Sequence, residues 1–363
     1  MRFWGITGTN GKTTCTWIFA EFLNACEGRK CGYITTVEVF DGRDRYYTGY
    51  TTPPLARLKE IYAKMEANGC TDCVMEVSSH AIHQHRTGDT PFSGGAFTNL
   101  SEDHLDYHKT MEAYFDVKLD YARWMPSGAP YVVCLDGENG KKMYDAVSGL
   151  GSVNAIPVTL AAPQYPLAGL QLAGDYNKSN VLVSAALAES AGAPKTVIER
   201  VLPTLKPRWG RLEKVVNSEA KAEIFVDFAH TPDGLEKVLA AARGFCRGRL
   251  WVVFGAGGDR DPMKRPLMGG VCRRLADRLV VTSDNPRSED PDKIIAAILG
   301  GIENLEGVYV EADRKAAIRY ALREAEKADV VIIAGKGHET TQEIKGVKYP
   351  FDDRRIAAEP LTE

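Results

Sequence analysis

Short apolar runs that end in glycine, threonine or charged residues alternate along the chain with longer segments carrying apolar residues at helical spacing. Phe3-Trp4-Gly5-Ile6 predicts a buried strand, and Cys15 to Leu23, free of glycine and proline, predicts an amphipathic helix. Residues 31 to 50 predict a strand and a hairpin turning at Asp41-Gly42. Thr51-Thr52-Pro53-Pro54 opens a predicted helix from Leu55 to Ala67, with proline at its first positions. The runs beginning at Asp72 and at Gly95 stay apolar up to a polar end, as strands buried on both faces of a parallel sheet do. A helix follows from Met111 to Trp124, strands at Tyr131–Cys134 and Asn154–Val158, and a helix from about Tyr176 to Ser190.

Pro203-Thr204-Leu205-Lys206-Pro207-Arg208 reads as a linker, and beyond it the pattern restarts. Strands at Ile224–Phe228, Leu250–Phe254, Arg278–Thr282, Val308–Glu311 and Val330–Ile333 alternate with helices beginning near Pro232, Pro262, Pro291 and Arg314. The expectation is an α/β protein: a domain with a mostly parallel sheet over residues 1–206, then a smaller Rossmann-like α/β domain over 207–363.

Composition narrows the function more by exclusion than by indication. The 363 residues hold 45 Lys and Arg against 48 Asp and Glu, with neither sign gathered into a run, which argues against a nucleic-acid or membrane surface as partner. No leader fits ahead of Gly8 and no apolar run approaches the length of a membrane span, so the expected compartment is the cytoplasm. The eight cysteines are scattered, which suits small core residues, and Cys70-Thr-Asp-Cys73 has no second pair at zinc-ribbon spacing.

Chemistry enters at Gly8-Thr9-Asn10-Gly11-Lys12-Thr13-Thr14, set between the first predicted strand and helix. Glycines let backbone N–H groups turn toward a phosphate, the helix N-terminus adds partial positive charge, Lys12 reaches the terminal phosphates and Thr13 suits Mg²⁺. The expected ligand is a nucleoside triphosphate, and residues 1–206 a P-loop ATPase domain, although the longer form of the pattern would place glycine where Ile6 stands. Glu76 and His104 fall at the C-terminal ends of predicted strands, where ligands of parallel sheets sit, and Glu76 is placed to hold a metal. Lys118 lies inside a predicted helix, where an ordinary surface lysine is an equally good reading. In the second domain four strand-end loops, 227–233, 255–261, 284–287 and 335–339, make one binding face.

Taken together these stretches resemble the Mur ligases, nearest to the branch that adds the third peptide residue to a UDP-N-acetylmuramoyl dipeptide. The resemblance covers nearly the whole chain. Its carriers are Gly8 to Thr14, Thr51-Thr52-Pro53, Glu76 to His80, Thr98 to His108, Asp227 to Asp233 and Asp284 to Arg287. It implies an ATP- and Mg²⁺-dependent ligase in which a substrate carboxylate takes the γ-phosphoryl group and an amine then captures the acyl phosphate as an amide. Lys12, Glu76, His104 and Lys118 inherit the catalytic roles, with Thr13, Glu76, His104 and a carbamylated Lys118 around the metals. ATP contacts fall to the Gly8–Thr14 loop, Asn177, Asn180, Arg211, Asp227 and His230, so the resemblance puts ATP between two domains whose closure completes the site. Thr51, Thr52, Ser78, Gln84 and Arg86 match the acceptor side. Asp284-Asn285-Pro286-Arg287 accompanies meso-diaminopimelate in the family; Arg287 would clamp its far carboxylate, with Arg260, Asn285, Gly335 and Glu339 around it.

Some readings stay open at this level. Asn177 and Asn180 also suit helix caps, Arg287 a surface turn, and His80-Ala-Ile-His83-Gln-His85 a zinc site. Family members begin with a separate UDP-binding domain, whereas this sequence begins at the first strand of the ATPase domain. The expectation is therefore an acceptor without UDP, or a separate UDP-binding or acceptor-presenting protein. Pro262-Met263 stands where relatives usually carry a Lys-Gly pair. The alternatives are an amino-acid ligase for a small metabolite, of the folylpolyglutamate synthetase kind, the nucleotide-binding subunit of an amidotransferase, or a non-catalytic ATP-binding module. The first is not expected to carry Asp284 to Arg287, the second usually has a cysteine zinc ribbon, and the third would tolerate loss of Glu76, His104 or Lys118.

Overall fold

A computed structural model of the chain describes residues 1–361. They form two compact units that divide between Leu205 and Lys206. The first unit opens with β1 (Arg2–Thr7), α1 (Lys12–Asn24), β2 (Cys31–Ile34), β3 (Val39–Phe40), β4 (Arg45–Tyr46) and α2 (Leu55–Ala67). It continues through β5 (Asp72–Glu76), α3 (Ser79–His83), β6 (Phe92–Phe97), α4 (Leu105–His108) and α5 (Met111–Arg123). β7 (Pro130–Cys134), α6 (Gly140–Gly149), β8 (Asn154–Val158), α7 (Asp175–Ser190) and α8 (Lys195–Val201) complete it.

Its 8-stranded sheet has the order β4-β3-β2-β5-β1-β6-β7-β8, parallel except for the β2-β3-β4 meander. β1 lies between β5 and β6 and runs parallel to both, so their C-terminal ends open side by side. α2, α3, α5 and α6 bury Leu58, Met65, Ile82, Tyr121 and Met143 with Met75 and Phe97 of the sheet in one core cluster. α1 behaves differently from the expected amphipathic helix. From Thr13 to Leu23 it is buried at every position except Glu21, because it packs against both β1 and α7. Pro54 is the N-cap of α2, with φ −60° and ψ 153°, and does not occupy a first helical position.

The second unit comprises β9 (Glu213–Val215), β10 (Glu223–Asp227), α9 (Pro232–Phe245), β11 (Leu250–Phe254), α10 (Lys264–Leu275) and β12 (Arg278–Val281). α11 (Pro291–Leu299), β13 (Val308–Val310), α12 (Arg314–Glu324), β14 (Val330–Ala334), the hairpin β15 (Thr341–Ile344) and β16 (Val347–Pro350), and α13 (Asp353–Ala358) follow. Its 6-stranded sheet runs β13-β12-β11-β14-β10-β9, parallel apart from β9. The loops after β10, β11, β12 and β14 therefore share one edge. Arg314, wholly buried, fixes α13 to that edge: its guanidinium donates to both Asp353 carboxylate oxygens (2.9 and 2.7 Å) and to Ala334 O (2.9 Å). Among the described residues no helix is long and apolar enough to cross a membrane.

Candidate active site

The phosphate loop takes its shape from β6. Gly8 has φ +147° and Gly11 φ +87°, and a Cβ on Gly8 would come within 1.9 Å of Thr98 Oγ1, so the close approach to the end of β6 requires glycine. Thr9 N–H donates to Asn99 O and Asn10 N–H to Asn99 Oδ1, both at 2.9 Å. Asn10 O in turn accepts from Thr98 Oγ1 (2.6 Å) and Asn99 Nδ2 (3.0 Å). The Thr9 hydroxyl reaches Ser101 O and the Tyr114 hydroxyl. α1 starts at Lys12 without a side-chain cap, which leaves its first amides turned toward the loop's mouth. Lys12 Nζ folds back onto Gly8 O (2.9 Å) and Thr9 O (2.7 Å), and Thr14 is buried in the first turn.

Beside the loop, Glu76 ends β5 with 1% of its surface exposed. Its Oε1 accepts from the Thr13 hydroxyl and from Thr36 N–H, both at 2.8 Å, and its Oε2 from the Thr36 hydroxyl at 3.1 Å. Thr36 also bonds to Thr51 Oγ1 (3.0 Å), while Thr52 donates to Glu76 O (2.8 Å) and accepts from Ser78 N–H (3.1 Å). Among the described residues Glu76 has no basic partner. A buried carboxylate satisfied only by neutral donors is the arrangement a cation completes.

His104 sits in the left-handed region (φ 56°), with its N–H bonded to Asp103 Oδ1 at 2.9 Å. Burial holds its pKa down at about 4 against the opposing pull of Asp103, so the ring is neutral at neutral pH. Lys118 is not a surface lysine: it is 1% exposed, its Nζ lies 4.6 Å from the Tyr114 ring centroid, and it makes no hydrogen bond among the described residues. Burial, and then the charge of Lys12, push its pKa well below the ordinary lysine range. The structure thus joins Thr13 to Glu76 directly, whereas neither His104 nor Lys118 is hydrogen-bonded to that pair. Of the three histidines after Ser79, His80 packs on Tyr107 and His104, His83 bonds the Tyr107 hydroxyl (2.8 Å), and His85 stacks on Trp124.

On the acceptor side Ser78 caps α3 through Ala81 N–H, Arg86 donates to Gln84 Oε1 (2.8 Å) and Thr52 O (3.4 Å), and Gln84 Nε2 reaches the Tyr107 hydroxyl (3.1 Å). Asn177 ties the start of α7 to Ala173 O (2.7 Å), while Asn180 lies against the loop, its Oδ1 2.3 Å from where a Gly11 Cβ would stand. Neither is the N-cap, which is Gly174.

In the second unit Asp227, at the end of β10, accepts from Leu212 N–H (2.6 Å) and Ala229 N–H (2.7 Å); burial raises its pKa while Arg211 opposes. Arg211 lies 4.5 Å from the Phe228 ring centroid, and His230 and His338 pack on the same ring at 4.6 and 4.9 Å. Burial and then Arg211 hold His338 down at about 3. Gly335 (φ +118°) lets Asp284 close in, since a Cβ there would stand 2.6 Å from Asp284 Oδ2. Asn285 Nδ2 donates to Glu339 Oε2 (2.8 Å) and Asn285 Oδ1 accepts Glu343 N–H (2.9 Å). Arg287, at φ 51°, is pinned by β15: its N–H meets Glu343 O (3.0 Å), its O accepts Lys345 N–H (2.6 Å), and its guanidinium donates to Gly258 O. Arg260 is exposed and bonds only the Asp259 carbonyl (3.1 Å), so it is not drawn into contact with Asn285 or Glu339.

Sequence reasoning left out Thr36, Phe228, His338 and the β15-β16 hairpin. Thr36 was findable from its place just past a strand of the sheet, and Phe228 and His338 lie inside loops already singled out.

Residues 6–165 match the Mur ligase middle domain and residues 210–337 the Mur ligase glutamate ligase domain. The UDP-N-acetylmuramoyl-L-alanyl-D-glutamate–2,6-diaminopimelate ligase of Synechococcus elongatus is 40% identical over 391 aligned positions, covering 100% of this chain and 77% of the relative. A solved structure of a ligase with the same name superposes with a TM-score of 0.63 at 31% identity, over 98% of this chain and 77% of the other. The Mycobacterium tuberculosis folylpolyglutamate synthase solved with ADP and AMPPCP has a TM-score of 0.69 at 17% identity, over 92% and 88% of the two chains, a likeness of fold. With both domains matched in order and the identity sustained across the whole length, the chain belongs to the Mur ligase family.

Proposed function

We propose that the chain is an ATP-dependent acid–amino-acid ligase that joins meso-diaminopimelate, or an amino acid carrying the same distal zwitterion, to the terminal carboxylate of a muramoyl-dipeptide acceptor. The observation that carries this reading is the buried Glu76 carboxylate held by Thr13 and Thr36 beside an intact phosphate loop, in a chain 40% identical to a diaminopimelate ligase over its full length. The loop amides and Lys12 bind and orient the triphosphate. The acceptor carboxylate, directed by Thr52, Ser78 and Arg86, takes the γ-phosphoryl group, and the incoming amine then displaces phosphate to leave the amide.

The Glu76 carboxylate and the Thr13 hydroxyl bonded to it offer oxygen donors side by side, which fits Mg²⁺ and its preference for hard oxygen ligands. Those two residues would hold it, with neutral His104 nearby in sequence to the loop's β6 support, and the ion supplies charge neutralisation for phosphoryl transfer. Lys118, as a buried amine of depressed pKa, is suited to react with CO₂, and its carbamate would turn an apolar-set nitrogen into an anionic oxygen donor. On the amine side Arg287 takes the far carboxylate and Glu339 the distal ammonium, with the Asn285 amide orienting Glu339.

The test is phosphate release by the purified chain with ATP, Mg²⁺ and a panel of amino acids, each paired with UDP-linked and UDP-free muramoyl dipeptides, with the amide identified by mass. Turnover that requires diaminopimelate supports the reading. Absence of both phosphate release and amide across the panel would overturn it.

A further inference from the structure

Lys336, in the loop after β14, is wholly buried, and the reading above gives it no task. Its Nζ donates to Asn285 Oδ1 and to Glu339 Oε2, each at 3.0 Å, and stands 3.7 Å from Asp284 Oδ1. Asn285 Oδ1 also accepts Glu343 N–H, while Asn285 Nδ2 faces Glu339. A flipped amide would set its NH₂ group against an ammonium and an N–H, so Lys336 fixes which way Asn285 points. The other buried cation of this edge, Arg314, is already matched by both oxygens of Asp353. The carboxylates of Asp284 and Glu339 act on Arg314 as well, so Lys336 and Arg314 together face the three carboxylates of Asp284, Glu339 and Asp353.

We propose that Lys336 is a positioning residue for amine specificity. It holds Glu339, directly and through Asn285, in the pose that receives the ammonium at the far end of the incoming amino acid, and it leaves this edge one negative charge in excess, matched to one ammonium. The inference rests on the assignment of Glu339 to the amine. Lys336 itself touches no substrate and acts through Glu339 and Asn285. A lysine that served only to knit the loops together would affect every substrate of the reaction alike.

The experiment compares the full chain and its Lys336→Met variant in steady-state ligation with ATP, Mg²⁺ and a UDP-linked muramoyl dipeptide. Each is given meso-diaminopimelate or 2-aminopimelate, which keeps both carboxylates and lacks the distal ammonium. The expected result is a diaminopimelate KM raised on the order of 30-fold or more, with the ATP KM within about twofold of the parent and the 2-aminopimelate KM moved far less. The parent's preference for diaminopimelate then collapses. An equal rise for both amines, a matching rise for ATP, or an unchanged preference overturns the inference. Should Lys336→Met fail to melt cooperatively, Lys336→Gln, which keeps a polar end at this position without the charge, is read by the same two KM values and must also lose the preference. A parent chain that ligates other amines and ignores diaminopimelate sinks the amine assignment, and this inference with it; a parent that prefers diaminopimelate beside a variant that still does sinks Lys336 alone.

Discussion

At the edge of the first sheet Glu76 is buried among hydroxyls and an amide with no basic partner, whereas at the edge of the second Asp284 and Glu339 share the buried ammonium of Lys336. One carboxylate is left for a cation from solution. The other two are balanced in advance, all but one charge, by the chain itself. Under the proposed function the difference matches two tasks: a divalent ion with its own hydration would enter the first site, while an organic zwitterion would have to be oriented in the second.

The sharpest way to break this contrast is Glu76→Gln. It should lower kcat by about a thousandfold, through several kcal/mol of lost charge stabilisation, yet leave the melting temperature level or higher because an unpaired buried charge has gone. A large fall in melting temperature would make Glu76 a structural residue and erase the comparison. Next in size, Lys118→Ala should reduce turnover by about 10²–10³-fold, with partial recovery on adding a short carboxylic acid. No recovery at any concentration would remove the anionic-oxygen role. Arg287→Ala should raise the diaminopimelate KM over the ATP KM by about 2 kcal/mol, the low end for a lost charged partner because its side chain is 23% exposed. Equal effects on both would take Arg287 out of the amine site.

The smallest effect is one of stability. Lys118 has its native pKa depressed by burial, so between that value and the ordinary lysine pKa near 10.4 the unfolded chain binds more protons than the folded one, and folding gains with rising pH. In CO₂-free buffer, where Lys118 is the unmodified amine, Lys118→Met should therefore melt above the parent at neutral pH by about a few degrees, with the gap closing toward pH ~10. A gap that widens with pH would mean the ammonium is stabilised where it lies.

Much of this was open to reading because it is local. The Gly8–Thr14 loop, the polar ends of β5 and β6 and the four loops of the second unit each announce themselves within a few residues, and strand ends of a parallel sheet must share an edge. Lys118 needed the fold: apolar neighbours on both sides of it in sequence do not say which face of α5 meets the core. The β15-β16 hairpin escaped because every residue of β16 is exposed and β15 is only partly buried, so no apolar run marks it. Phe228 and Thr36 were passed over for a related reason, since a ring that collects an arginine and two histidines, or a threonine that bonds a carboxylate across the sheet, is defined by partners distant in sequence.

The docking of β15 on the loop after β12 bears on how a changed preference could be engineered. Transplanting residues 284–287 from a ligase of different amine choice would carry over the side chains and leave behind the strand that sets Arg287's backbone and orients the Asn285 amide. Retargeting should therefore treat 284–287 and 336–345 as one cassette, exchanged together.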